Sequence, residues 1–255
     1  MLTLREAFTL GYLPAAMGAY WNGVALLVRI SEQPEEQQLR VRLKKCEAAL
    51  REQEATISED LLQVDTLLQK LGQQMPSLPR LAPDYSMWYG TILEAAHERM
   101  QLTAPEAATC VMAGFQLGEA WETLSMAWLT YYFLTAAPEQ PLLRGQATVL
   151  SRGQKKASRR THRLAEEPQW TAPQRQVLVE IDDVFGKLPD LDLEEQTEFD
   201  GPGRLRAVVA AMEAVSVRLR AFPSLLPHDD SKSGSRPEAP PVSPDEAPDD
   251  AAATG

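Results

Sequence analysis

Acidic and histidine side chains at helical spacing are the first candidates for chemistry. Glu94 and His97 stand three residues apart, and Glu119 and Glu122 repeat that spacing. On facing helices of a bundle, carboxylates and histidines so spaced can ligate metal ions. Counted from a turn near Leu102, however, His97 is five residues away and Glu119 is seventeen. The two pairs would then lie about 18 Å apart along the bundle, so we expect neither a metal nor another cofactor.

Sequence signatures of catalysis are missing as well. The chain has no phosphate-binding glycine loop, no nucleophile elbow and no His-Glu-x-x-His. Its three histidines, His97, His162 and His228, occur in unrelated contexts. We therefore expect a non-enzymatic protein, and an active site assembled from distant residues stays open as an alternative.

A one-sided row of cations is the strongest chemical signal. Its six members, which we call the basic row, recur at i, i+3, i+4, i+7, i+8 and i+11: Arg152, Lys155, Lys156, Arg159, Arg160 and Arg163. On a helix they project within an arc of about 140°. No acid occurs between Arg144 and Ala165. Because neighbouring like charges on a helix repel, the basic row predicts an anion opposite it.

Several anions fit the basic row. Nucleic-acid phosphates, an acidic membrane surface and an acidic partner protein are candidates, as is the chain's own acidic segment 190–200. Nucleic acid is the weaker choice, because no aromatic residues interleave the cations and no glycine-bearing helix-turn-helix is evident. The net charge of -11 also argues against a protein whose whole surface binds nucleic acid.

A long amphipathic segment from 35 to 71 offers a second surface. Apolar residues keep to three- and four-residue spacing along it, and we call these the partner-helix face: Leu39, Leu43, Leu50, Ile57, Leu61, Val64 and Leu68. This pattern predicts a helix that packs on another helix. The partner helix belongs either to the same chain or to another subunit in a coiled coil.

These surfaces need a scaffold, and the segment 104–137 is predicted to be its central helix. Between Ala107 and Ala137 only Glu119 and Glu122 carry charge, so the helix is apolar nearly all round and belongs inside a bundle. Thr103 and Glu106 predict a capping box at its start, and a proline follows its end.

The segment 7–28 has no charged residue, and a capping box of Thr3 and Glu6 precedes it. We expect a helix that Pro14 interrupts. Glycine and alanine recur every fourth residue from Gly11 to Gly23, a pattern that suits a tightly crossed helix pair in a core. The same 22 residues are long enough to cross a bilayer, so a transmembrane helix is the alternative.

The predicted fold is all-α, with about seven helices around the central one. Further helices are expected from Asp84 to Met100, after Thr171 and after Gly203. The predicted division is 1–71 for the N-terminal helices, 72–83 for a proline-rich linker, 84–226 for a helical bundle and 227–255 for a disordered acidic tail. Cys46 and Cys110 fit no metal or redox spacing, so we expect buried thiols in a reducing, cytoplasmic compartment.

The function expected from these features is binding. We expect a helical protein-protein interaction or assembly protein, in which the basic row engages an acidic surface and the partner-helix face contacts a partner or a second copy. A nucleic-acid-associated protein that binds phosphates through 152–163 is the alternative. A second alternative is a membrane-anchored assembly subunit with 7–28 in the bilayer.

Overall fold

The computed structural model describes residues 2–32, 37–74, 96–98, 100–191 and 200–227. They include six α-helices with both ends described, which we number in chain order: α1 Leu4–Ser31, α2 Gln37–Gln74, α3 Pro105–Leu134, α4 Pro141–Glu166, α5 Ala172–Lys187 and α6 Gly201–Ala221. A short 3-10 helix, Phe222–Leu225, follows α6, and no strand occurs in these ranges. The predicted all-α fold is thus confirmed.

The central position of α3 is also confirmed. More than half of its residues are buried, on every side of the helix. Helices α1, α4 and α6 all pack directly on it, and α5 packs on α4 and α6. The predicted capping box was wrong: Ala104 is the N-cap, and no side chain caps the helix there. Pro105 occupies the first turn, where its missing N–H has no helical partner to lose.

Glycines bring α1 and α3 into backbone contact. A Cβ on Gly11 would overlap the carbonyl oxygen of Val111, and one on Gly114 would overlap that of Phe8. One turn further along, a Cβ on Gly118 would lie 2.6 Å from the Cβ of Ala15. The expected tight helix crossing is therefore made through this chain's own core, with glycine on both helices.

Helix α1 is continuous from Leu4 to Ser31, so the predicted interruption at Pro14 was wrong. Proline costs a helix about 3 kcal/mol, but α1 packs along α3 on both sides of Pro14, and that packing holds the helix together. The Thr3 and Glu6 capping box is present, with Thr3 Oγ1 accepting from the Glu6 N–H at 3.2 Å. None of the helices in the described ranges is long and apolar enough to span a membrane.

Helix α2 lies against α1. It extends to Gln74, three residues past its predicted end. Lys70 Nζ of α2 bonds the carboxylate of Glu6 at 2.6 and 2.7 Å, which fastens the end of α2 to the start of α1. Burial raises the pKa of the Glu6 carboxyl, but the Lys70 ammonium and the Thr3 backbone outweigh it and lower that pKa overall.

Some predictions fall outside the described residues. Most of the linker 72–83, the first part of the helix predicted from Asp84 and the tail from 228 lie there, and so does the middle of the acidic segment, 192–199. Residues 96–98 and 100 are helical, as predicted for the end of the helix before α3. Residues 101–103 are helical as well, where the sequence predicted a turn near Leu102. The division of the chain into domains stays a prediction.

Substitution of Gly114 tests the close crossing. Gly114→Ala should lower the free energy of unfolding by about 3 kcal/mol, because its Cβ has no space beside the Phe8 carbonyl and the helices must separate. Gly145→Ala is the matched control: Gly145 is exposed on α4 with no atom within 4 Å of the added Cβ. That change should raise stability by about 0.5–1 kcal/mol. Equal urea midpoints for the two variants would contradict the close crossing.

Candidate anion-binding face

Helix α4 presents the basic row on the side opposite its buried residues. Its buried residues include Ala147, Leu150, Ala157 and Leu164, which join the core as the sequence pattern predicts. Arg152, Lys155, Lys156, Arg159 and Arg163 are exposed, and Arg160 is half-buried. The six cations therefore lie together on one face, and the acids of neighbouring elements decide which of them remain unpaired.

Glu119 of α3 neutralises one edge of the basic row. Its carboxylate pairs with Arg160 and lies 3.3 Å from Lys156 Nζ. The Oε2 of Glu119 and the Nη1 of Arg160 are both inaccessible to solvent. Burial lowers the pKa of the Arg160 guanidinium, which nevertheless stays charged at neutral pH. The sequence identified Glu119 as one of two charged residues on the central helix, but its pairing with the basic row was not foreseen.

Asp190 neutralises the opposite edge. Its Oδ2 lies 2.9 Å from Lys155 Nζ, and its Oδ1 accepts from Ser151 Oγ at 2.5 Å. On the same side, the exposed His162 ring has Nδ1 2.9 Å from Asp182 Oδ2. The hydrogen bond and the charge of Asp182 raise the pKa of His162 above its ordinary value. One cation of the basic row, Lys155, thus pairs with an acid of segment 190–200, Asp190.

Buried polar groups hold Asp190 in place. Gln154 Nε2 donates to the Leu188 carbonyl at 3.0 Å, and its Oε1 accepts from the Leu191 N–H at 3.2 Å. Tyr131 Oη donates to the Leu191 carbonyl at 2.7 Å, and the buried Arg204 donates to the Asp190 carbonyl. Sequence reasoning missed Gln154 and Arg204, because a polar residue at a helical core position gives no sign of its partner.

Arg152, Arg159 and Arg163 form the centre line of the basic row. They stand at i, i+7 and i+11, so they project within about 40° of each other and span about 17 Å along α4. Lys155 lies to one side of this line, and Lys156 and Arg160 lie to the other. In the part of the chain that the structure describes, no acid pairs with any of the three arginines. We call these three residues the arginine line.

The chain matches no protein-family model, no curated protein and no solved structure. No site of a known protein can therefore be transferred to it. Among the described residues, the arginine line is the part of the basic row that has no acidic partner.

The second pair of candidate ligands does not meet the first. His97 Nδ1 lies 3.2 Å from the Ala108 carbonyl, so this nitrogen carries the proton, and Nε2 accepts from Gln101. Glu119 is eleven residues further along α3, about 16 Å away. Within the described ranges there is no cluster of three potential metal ligands. Glu94 lies outside those ranges.

The partner-helix face of α2 turns toward its own chain. Leu39 and Val64 are buried in the core, and five further members pack against it: Leu43, Leu50, Ile57, Leu61 and Leu68. The two ends of α2 are the best buried, whereas no residue from 47 to 63 is fully buried. The face is thus occupied within this chain at both ends, and a role in binding another subunit stays a prediction.

Both cysteines are free and buried. Burial raises the pKa of Cys46 to about 11 and that of Cys110 to about 12. Thiols with such pKa values are protonated at neutral pH and react slowly, as expected of cysteines that serve in packing.

Removal of the Glu119 charge should destabilise the protein. Glu119→Gln leaves the half-buried Arg160 guanidinium, whose Nη1 is inaccessible to solvent, without a counter-charge, and we expect a loss of about 1–3 kcal/mol in the free energy of unfolding. The measurement is urea denaturation followed by circular dichroism. A restoration of stability in the double variant Glu119→Gln, Arg160→Leu would tie the loss to this ion pair, and an unchanged midpoint in the single variant would refute it.

Glu122, one turn away, should behave in the opposite way. Burial raises the pKa of its carboxyl, more than the Asn22 hydrogen bond of 2.5 Å and the Lys156 charge lower it. When folding raises the pKa of a carboxyl, the protein loses stability as the pH rises above the pKa of that carboxyl in the unfolded chain, near 4.5. Glu122→Gln should therefore leave the free energy of unfolding nearly unchanged at pH 4. As the pH rises to 8, the variant should become more stable than the native protein. Constant stability differences across that range would contradict this assignment.

Proposed function

We propose that this chain is a non-catalytic binding protein that engages an acidic surface of a partner protein through the arginine line. The observation that carries the proposal is the sorting of charges on α4. Both edges of the basic row pair with acids of the same chain, whereas its centre stays unpaired among the described residues. A face kept only for solubility has no need of such an arrangement.

Arginine suits this role. Its guanidinium remains charged at every physiological pH and binds carboxylates through two parallel hydrogen bonds. The exposed cations at the centre of the basic row are arginines, whereas the exposed cations paired at its edges are the lysines Lys155 and Lys156. The line also stands on a helix whose other side is packed into the core, so its three side chains start from fixed positions.

An acidic protein fits better than a nucleic acid. Three unpaired cations supply few phosphate contacts, and α4 contains no Phe, Tyr or Trp on which a base would stack. The net charge of -11 adds a repulsive background for a long polyanion. A short acidic patch on a partner protein can contact the arginine line and brings little negative charge close to the other, negatively charged parts of the surface.

Substitutions within the basic row test the proposal. The measurement is fluorescence anisotropy with a labelled peptide of about 20 glutamates at 0.15 M salt, where screening confines the effect to nearby charges. Arg152→Gln with Arg159→Gln should weaken binding at least tenfold. Lys155→Gln with Lys156→Gln removes the same charge from the paired edges and should change the affinity by less than about threefold.

The same titration with single-stranded DNA distinguishes the proposed binding of an acidic protein from the alternative, binding of a nucleic acid. Binding of DNA in preference to the glutamate peptide would favour the nucleic-acid function. Three phosphate contacts would then give a slope of about -2 for log K against log salt. No binding of either ligand, or equal losses in the two double variants, would refute the role of the arginine line.

A further inference from the structure

A cavity of about 680 Å³ lies on the side of the bundle where α2 crosses α1. Its walls come from α1, the middle of α2, α3 and the end of α6. It exists because the stretch 47–63 of α2 inserts no fully buried side chain, although both ends of α2 do. The volume lies within the range of about 300–1,000 Å³ that is usual for small-molecule sites.

The lining is mainly apolar and aromatic. Tyr12 and Tyr20 of α1 and Trp121 and Trp128 of α3 contribute rings, and Leu50 of α2 is among the aliphatic residues. Such walls suit a long apolar body and exclude a highly polar ligand such as a sugar or a nucleotide.

Three polar groups of the lining bear on which head group a ligand in the cavity can have. They are the hydroxyl of Tyr12, the carboxylate of Asp60 and the guanidinium of Arg220. Asp60 and Arg220 each lie close enough to Tyr12 for their charges to act on its pKa, so the three groups share one region of the cavity. Within the described part of the chain, neither charged residue has an ion-pair partner.

We propose that this cavity binds an apolar molecule with a carboxylate head group, such as a fatty acid. Arg220 pairs with the carboxylate, the Tyr12 hydroxyl donates a hydrogen bond to it, and the aromatic and aliphatic walls surround the chain. This small-molecule site is separate from the arginine line on α4, and neither proposal depends on the other.

The properties of the three polar groups favour an anion over a cation. Arg220 cannot lose its charge and therefore repels a cationic head group at any pH. Burial and then the neighbouring Glu59 raise the pKa of the Asp60 carboxyl, so its charged form is less favoured than in an ordinary aspartate. Burial chiefly raises the pKa of Tyr12, to about 12, so its hydroxyl keeps the proton that it needs as a donor. An anion is therefore attracted by Arg220, and Asp60, whose charged form is disfavoured, is the one group of the three that opposes it.

Isothermal titration calorimetry of the full chain with three twelve-carbon probes tests the site. The probes are dodecanoate, dodecan-1-ol and dodecyltrimethylammonium, each kept below its micelle concentration. Dodecanoate should bind most tightly. Arg220→Gln should weaken dodecanoate at least tenfold and leave dodecan-1-ol unchanged, whereas Asp60→Asn should strengthen dodecanoate by removing the competing charge.

Two control variants locate the site. Arg206→Gln removes an exposed arginine of the same helix that does not line the cavity, and it should leave all affinities unchanged. Ala49→Trp changes an exposed residue of the lining on α2, and its larger side chain should block both dodecanoate and dodecan-1-ol. Tighter binding of dodecyltrimethylammonium, with loss on Asp60→Asn, would overturn the carboxylate proposal in favour of a cation. Absent binding, or affinities that ignore Arg220→Gln and Ala49→Trp alike, would overturn the site itself.

Discussion

The backbone contact between α1 and α3 is the constraint on which the rest of the structure depends. Two helices can approach this closely only where both lack a Cβ at the crossing, and Gly11 and Gly114 meet that condition together. The contact fixes α1 along the central helix and so determines where α2 can lie, since α2 packs on α1. It also brings Gly18 of α1 against the Glu122 carboxyl of α3. The cavity beneath α2 and the half-buried acids beside α4 are therefore consequences of one close crossing.

A second constraint operates around α4 and is polar. Gln154, Tyr131 and Arg204 satisfy the backbone groups of the segment that follows α5, and this places Asp190 beside Lys155. Hydrogen bonds between buried polar groups hold geometry more strictly than apolar contacts do, because an unpaired buried group costs about 1–3 kcal/mol. The charge pattern on the outer face of α4 is thus set from within the core, on one edge through Asp190 and on the other through Glu119.

Sequence reasoning worked best where periodicity alone decides the structure. The central helix, the buried side of α4 and the inward-facing stripe of α2 follow from apolar residues at three- and four-residue spacing. It failed for the interruption predicted at Pro14 and for the capping box predicted at Thr103. At these positions packing and chain geometry, and not the local sequence, determine the structure. The partners of the basic row could be found only in three dimensions. Lys156 and Glu119 are 37 residues apart, and nothing in the spacing of either helix reports which acid faces which cation.

Under the proposed function, the pairing at the edges of the basic row also decides what its centre can recognise. Six unpaired cations would attract any polyanion, with an affinity governed mainly by salt. Neutralising both edges leaves a line about 17 Å long, with intervals of about 10.5 and 6 Å between its arginines. These are the seven- and four-residue intervals of a helix, so carboxylates on one face of an acidic helix recur at the same distances. In the proposed function, the internal acids thereby replace a general electrostatic attraction with a spatial pattern of charges, and such a pattern discriminates one acidic partner from another.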